Sequence, residues 1–493
     1  MRDLLTEPAC RPEDLGLPLP DDPHAVSVAM PLWEHVVGYE ENDPAVVSKF
    51  QCGYPRFFVH PKVAELNAKL GIEFGQNEEK AIVFPTMRAA ERCLAYIRKK
   101  TGVEGRAVPW QGGMVAVLVG QAGWEPALKY WRFCGEIVSS RRAEAALNSQ
   151  FTACPGQGKS KPIIRERLAK FTGQNADDVY LFPSGIAAVF AVQRVVARLL
   201  PDRKTAQLEF PYVDALKVQE EFANGVTFLP NLEEGGVPAA RKLLETEPPS
   251  AIFCEMPSNP QLRSVDMAGL KAVVEPEGIP LVVDDTIATS FNLNAFPYAD
   301  LVTTSLTKYF SGLGNVLAGS VILNRDSQLY PELSRLMQEE FEDQLCENDA
   351  DVLEANSRTY EERMPGINAG SEVVFDYLVD HPAVDKVWYP KNQTAELYER
   401  FRKPGAGYGG LLSLMLKNGS QTAPKFYDRV RVSKGPSLGT DFTLACPYML
   451  LAHYPELDWS DSLGMDRNLI RFSFGLEPPE ELIRRLEEAL KGL

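Results

Sequence analysis

Histidine is scarce in this chain, with five in 493 residues, and the eight cysteines include no CxxC pair. No zinc-ligand spacing results. Long apolar runs are missing too: MVAVLVG (114–120) is among the longest and falls far short of a membrane span. Positive charge is in deficit. A formal net charge of −16 argues against a surface for nucleic acid or an anionic membrane, yet allows one small basic pocket for a single phosphate. The opening MRDLLTEPACRPEDLG is acidic and Pro-bearing, unlike a signal peptide or an Arg-rich transit peptide. A cytoplasmic protein with reduced cysteines is expected.

What is present is a long chain of ordinary globular composition, too long for one hydrophobic core. Residues 1–24 are rich in Pro and Asp and read as an arm, and residues 1–150 as that arm plus an enlarged N-terminal region. AIVFPTMRAAERCLAYI (81–97) echoes VYLFPSGIAAVFAVQRV (179–195), one strand-turn-helix unit and too little to establish a repeat. Residues 151–365 alternate strand and helix, with strands at VYLF (179–182), AIFC (251–254), PLVVDD (280–285), LVTTS (301–305) and GSVIL (319–323). Continuous apolar strands with helical crossovers predict an α/β unit: a mostly parallel sheet with helices on both faces. Residues 366–493 change texture, and YGGLLSLML, RVRVSK and RNLIRFSFGL predict a smaller α+β C-terminal domain ending in an amphipathic helix. The boundary is expected near 366.

In a parallel sheet, ligands collect at the carboxyl ends of the strands. After VYLFP come Ser184, Gly185 and Ile186, where a glycine allows a tight turn and the first helix amides point at an anion. After PLVV stands Asp284, a carboxylate that needs a partner at the end of a buried strand. Around LVTTS lie Ser305, Thr307 and Lys308, two hydroxyls and an amine that partial burial can deprotonate. Taken singly, each has a plainer reading: a turn glycine, a helix N-cap, a solvated lysine. Together, an anion nest, a carboxylate and a lysine match the phosphate, ring nitrogen and aldehyde carbon of pyridoxal 5'-phosphate (PLP). The rival, a nucleotide phosphate loop, lacks GxxxxGK[ST] or GxGxxG at these turns.

EMPSNPQLRSVD (255–266), VVDDTIATSFN (282–292), TTSLTKYFSGLGNVLAGSVI (303–322), SLG (437–439) and IRFSFGLEPPEELIRRLEEAL (470–490) resemble the PLP-dependent Cys/Met-metabolism family. GYPRFF near 53–58, GEIVSSRRAE and GPSLGTDFTLACPY are most similar to its fungal-type cystathionine γ-synthase branch. The resemblance implies the aspartate-aminotransferase-like fold type I and gives roles to residues of this sequence. Lys308 would hold the cofactor as a Schiff base, Asp284 its pyridine nitrogen, and Gly185, Ile186, Ser305 and Thr307 its phosphate. Tyr212 would stack on the ring. Asn259 and Ser437 would lie at the substrate end, with Arg471 clamping the α-carboxylate. The family's Tyr-x-Arg, lent to the phosphate by a neighbouring subunit, has no match in its usual window, TACPGQGK (152–159). Arg141 is taken as its replacement, ahead of Arg142 and of Tyr54 with Arg56. A homodimer, or a tetramer built from dimers, is therefore expected, with Arg141 of one chain reaching the cofactor of the other.

The implied activity is γ-replacement on an O-acyl-L-homoserine, with cysteine as the incoming nucleophile and cystathionine as product. Where enzymes that handle cystathionine often carry Glu just before SLG, this chain has Pro436. Another thiol, an amine or a carbon nucleophile is the alternative. A cystathionine lyase or a scaffold without activity ranks lower. Small amino-acid substrates are expected, without nucleic acid, membrane or metal.

Overall fold

The computed structural model describes residues 2–76, 78–150 and 158–493. The unmatched window 152–159 therefore lies mostly outside the described residues.

The central sheet has seven strands, β4 (Val179–Phe182), β5 (Thr205–Leu208), β6 (Val226–Leu229), β7 (Ile252–Glu255), β8 (Leu281–Asp284), β9 (Leu301–Thr304) and β10 (Gly319–Leu323), in the spatial order β4-β10-β9-β8-β7-β5-β6. The run β9-β8-β7-β5-β6 is parallel, whereas β10 runs antiparallel to both β4 and β9. All five strands read from the sequence form, within a residue or two at their ends. β5 and β6 are additional. β5 carries the buried polar Gln207 and β6 is only half-buried, so neither shows the continuous apolar pattern of its neighbours.

An N-terminal three-stranded sheet, β1 (Lys80–Phe84), β2 (Arg106–Pro109) and β3 (Val115–Val119), is wholly antiparallel with order β1-β3-β2. Of its helices, α1 (Met87–Thr101) packs on α2 (Gln121–Cys134), and α2 packs on α3 (Gly185–Leu199) of the central unit. α3 buries ten residues between Ile186 and Val196, more than one face, so it needs cover on the side away from its sheet. Side chains of both units join in one apolar cluster.

The C-terminal sheet, β11 (Val384–Trp388), β12 (Leu411–Leu416), β13 (Ser433–Lys434), β14 (Leu444–Pro447) and β15 (Ile470–Ser473), has the order β11-β12-β15-β14-β13, antiparallel apart from the short β13–β14 pair. The boundary expected near 366 falls inside a continuous helix, Tyr360–Val379, with Pro365 in its first turns. Apolar packing on both sides of that proline lets one helix cross between units where the sequence shows a break. The N-terminal arm lies on the C-terminal unit, where the Ala9 amide donates to the Ser433 hydroxyl at 3.1 Å and the Lys434 amide to the Ala9 carbonyl. Among the described residues no helix is long and apolar enough to cross a membrane, and no His/Cys/Asp/Glu group could hold a metal ion.

Candidate active site

The strand-end residues meet in one pocket between the central sheet, the C-terminal sheet and the segment around Tyr54. Ser184, Gly185, Ile186, Tyr212, Asn259, Asp284, Ser305, Thr307, Lys308, Ser437 and Arg471 all line it. Arg141 does not.

At the start of α3 the Ser184 hydroxyl accepts from the Ala187 amide at 3.1 Å, which leaves the amides of Gly185 and Ile186 open at the helix end. Glycine is required at 185: a Cβ there would lie 2.7 Å from Ser305 Cβ. The Thr307 hydroxyl is engaged with the Ala318 backbone.

The paired aspartates after β8 divide. Asp284 faces the pocket and accepts from the Thr286 amide at 2.9 Å and the Thr303 hydroxyl at 3.1 Å. Asp285 is buried and takes the hydroxyls of Ser290 and Thr304. Burial raises both carboxyls, Asp285 to about 6. Asp284 has no cation partner among the described residues.

Lys308 is 6% exposed, and its Nζ donates to the Tyr54 hydroxyl at 2.8 Å and the Ser437 hydroxyl at 2.9 Å. Burial lowers the Lys308 ammonium below the usual lysine range, against the opposing pull of Tyr54. Burial pushes the Tyr54 phenol up, but Lys308 and Arg56 outweigh it and hold Tyr54 below the ordinary tyrosine range. Ser437 has φ 101°, a conformation a serine adopts only under constraint, and it turns both its hydroxyl and its carbonyl into the site.

Arg471, on β15, is 5% exposed. Its guanidinium donates to the Ser437 carbonyl at 2.9 Å and to Asn259 Oδ1 at 3.3 Å, and lies 4.4 Å from the centre of the Tyr448 ring. Asn259 in turn donates to the Tyr448 hydroxyl at 3.0 Å. No carboxylate of the described residues pairs with Arg471.

Within its own chain Arg141 lies away from the pocket. Its guanidinium is tied to Asp349 at 3.2 Å and lies 3.8 Å from Asp22. The second arginine at the pocket, beside Arg471, is Arg56, which pairs with the fully buried Asp214 and donates to the Tyr212 hydroxyl at 3.1 Å. Burial would lower Arg56, but Asp214 raises it further and keeps it charged. Tyr54 and Arg56 enter from the same chain. Asp214 and Glu255 escaped notice in the sequence, although Asp214 stands two residues after Tyr212 and Glu255 ends β7. Glu255 accepts from the Tyr212 amide at 2.7 Å, and burial beside Asp284 holds its carboxyl well above the usual range.

This arrangement suits PLP. It offers a glycine cradle with open amides for a phosphate, a pocket-facing carboxylate without a cation for a ring N–H, and a deprotonable lysine for an aldehyde. The buried guanidinium of Arg471 has only neutral partners among the described residues and is free to take a carboxylate.

Comparisons with known proteins agree. Residues 160–491 match the model of the Cys/Met metabolism PLP-dependent enzymes, and residues 62–139 that of the fungal trans-sulfuration enzyme N-terminal domain. Cystathionine gamma-synthase of Neurospora crassa is 33% identical, covering 97% of this chain and 98% of that protein. L-2-amino-4-chloropent-4-enoate dechlorinase/desaturase of Streptantibioticus cattleyicolor is 31% identical, covering 96% of this chain and 98% of that protein. The crystal structure of cystathionine gamma synthase from Xanthomonas oryzae pv. oryzae, in complex with cystathionine, shares the fold with a TM-score of 0.59 at 23% identity, over 68% of this chain and 86% of that one. With the lysine, carboxylate and glycine turn on the strand ends of such a sheet, this chain belongs to the family of PLP-dependent Cys/Met metabolism enzymes.

Proposed function

We propose that the chain catalyses γ-replacement on an O-acyl-L-homoserine. The bond from Cγ to the acyloxy oxygen breaks, the acyl carboxylate leaves with the electron pair, and an incoming nucleophile forms the new bond at Cγ. The observation that carries this reading is Lys308 Nζ between Tyr54 and Ser437, in a pocket that also holds the unpaired guanidinium of Arg471.

Bound PLP supplies an electron sink for negative charge at Cα. The amides of Gly185 and Ile186, the hydroxyl of Ser305 and Arg56 would receive the phosphate, and Thr307 would join them by turning its proton away from the Ala318 carbonyl. Asp284 would keep a proton on the ring nitrogen, and Tyr212 would pack against the ring. Arg471, set by Asn259 and Tyr448, holds the substrate carboxylate and so aims Cα at Lys308. The lysine amine takes the Cα proton and then serves Cβ, and Tyr54 passes protons to and from it.

For the nucleophile, the lining favours a partner simpler than cysteine. Its charged residues are Arg56, Glu255, Asp284, Lys308 and Arg471; Glu255 keeps one carboxylate oxygen without a hydrogen-bond partner, in a carboxyl that burial holds above its ordinary range, and the others already have a role or a buried partner. The remainder includes Val28, Met30, Phe57, Leu451, Ala452 and Pro436, which offer nothing to a second ammonium–carboxylate pair. We therefore place an uncharged thiol or carbon nucleophile first and cysteine second. The relative named for removing chlorine from the fourth carbon of an amino acid supports chemistry at Cγ without tying it to cysteine.

The test is product analysis of the purified protein given acetyl- or succinyl-homoserine with a panel of thiols, amines and carbon nucleophiles. Carboxylate release coupled to a γ-substituted amino acid is expected. No release from either ester rejects the reading, and cystathionine as the fastest product restores cysteine.

A further inference from the structure

The sequence echo between the N-terminal region and the central sheet extends much further in three dimensions. The same 98 residues separate Phe84 from Phe182 at the strand ends, and Met87 from Gly185 and Thr101 from Leu199 at the helix bounds. Thr86 caps α1 by accepting from the Ala89 amide at 3.3 Å, as Ser184 caps α3 through Ala187 at 3.1 Å. Ala89 and Ala90 are fully buried, as are Ala187 and Ala188 at the equivalent places. Each strand then pairs with an antiparallel neighbour, β1 with β3 and β4 with β10. Each neighbour leads into a helix that packs on the first: α2 on α1, and α4 (Tyr330–Glu340) on α3.

The two corners pack on each other. Glu136 bonds Arg92 of α1 at 2.6 Å and lies 3.7 Å from Arg194 of α3, and the Tyr130 ring of α2 lies 6.2 Å from Phe190. At the top of this seam the Ser184 hydroxyl donates to the Gly135 carbonyl at 2.9 Å, so contact reaches the phosphate turn itself. Like corners of one fold packed face to face are what a symmetric dimer presents. Here one chain contains both. The N-terminal corner holds no second site, because Met87 stands where Gly185 makes room for Ser305. Instead it grips the preceding segment: Arg56 donates to the Arg132 carbonyl of α2 at 3.1 Å, and the Arg132 guanidinium covers the Phe57 ring at 4.1 Å.

We propose that the unit from Lys80 to Cys134 is a degenerate second copy of the cofactor unit's corner, a partner carried within the chain, which completes the active site in cis by holding Tyr54 and Arg56 in the pocket. One chain then makes one whole site, and association between chains adds nothing to it. The proposal rests on the pocket as the cofactor site, and not on the choice of substrate.

Two measurements decide it. In the first, PLP retention and particle mass are followed together as the wild-type protein is diluted from micromolar to nanomolar. One cofactor per chain, held with unchanged affinity at monomer mass, is expected. A monomer that releases its cofactor overturns the proposal. In the second, differently tagged chains carrying K308A or the conservative pair Y54F and R56K are co-expressed, with folding checked by circular dichroism. Doubly tagged particles should release no more carboxylate from an activated homoserine than either variant alone. Recovery of about one site in two, the yield of a dimer sharing its sites, overturns the proposal.

Discussion

The Lys308 amine and the Tyr54 hydroxyl stand 2.8 Å apart although 254 positions separate them in the chain. Burial depresses the lysine, and Tyr54 pulls it back up. Capture of the PLP aldehyde needs the neutral amine, so its rate should rise with pH and level off below the ordinary lysine value. Tyr54→Phe removes the upward pull, and the midpoint should move to lower pH. Stopped-flow absorbance of the apoprotein mixed with PLP measures this, and a midpoint that moves up would contradict the pairing.

Lys308→Ala should abolish turnover and leave no cofactor trapped by borohydride, while circular dichroism stays unchanged. The buried amine is the one lysine lining the pocket, so trapped cofactor in the variant would place the attachment elsewhere.

Asp284→Asn should retain PLP but exchange the substrate Cα proton more slowly. Loss of one charge-assisted hydrogen bond is worth roughly 1.5–3 kcal/mol, about ten- to a hundredfold in rate. Exchange in deuterated water, followed by NMR, reads this step alone. Normal exchange would reduce Asp284 to a cap on the Thr286 amide.

Arg471→Lys keeps the charge but loses the planar fork that meets the Ser437 carbonyl, Asn259 and the Tyr448 face at once. Substrate KM should rise about ten- to a hundredfold on the same 1.5–3 kcal/mol scale, with PLP affinity unchanged. Equal loss of both would mean that Arg471 supports the pocket wall instead of gripping substrate.

Asp214→Asn strips Arg56 of its buried counter-charge. Removing one partner of a buried pair costs roughly 3–5 kcal/mol, so the apoprotein should melt markedly lower. Saturating PLP should recover much of the loss, because its phosphate offers Arg56 a replacement charge. A variant equally destabilised with and without PLP would separate Arg56 from the phosphate.

The parallel sheet and its ligand end were legible because strands buried on both faces read as unbroken apolar runs, and ligands gather at their carboxyl ends. Lys308, Asp284 and Gly185 could be named because each sits at or just past the end of such a strand, whereas Arg471, inside β15 of the other sheet, could be named only from the family resemblance. The arginine was harder. Arg141 and Arg56 look alike in sequence, and what separates them are carboxylates remote in the chain: Asp349 and Asp22 hold one, while Asp214 holds the other beside the pocket. β5 and β6 were missed because a buried glutamine and half-exposed side chains broke the apolar pattern. The echo at 81–97 was visible, but its meaning lay in packing, which no local pattern encodes.

The helix Tyr360–Val379 works as a gauge rod. Near its start, Arg363 donates to the carbonyls of Tyr309, Phe310 and Ser311, the turn that follows Lys308. Further along, Val374 and Phe375 are embedded in the same apolar cluster as Ile470 and Phe472, the strand that carries Arg471. One stiff rod thus spaces Lys308, proposed to act at the substrate's α-carbon, from Arg471, proposed to hold its carboxylate. On the proposed roles, an amino acid would fit when the step from amine to carboxylate matches that spacing, and variation in side-chain length would be accommodated beyond Cα and not at the head of the substrate.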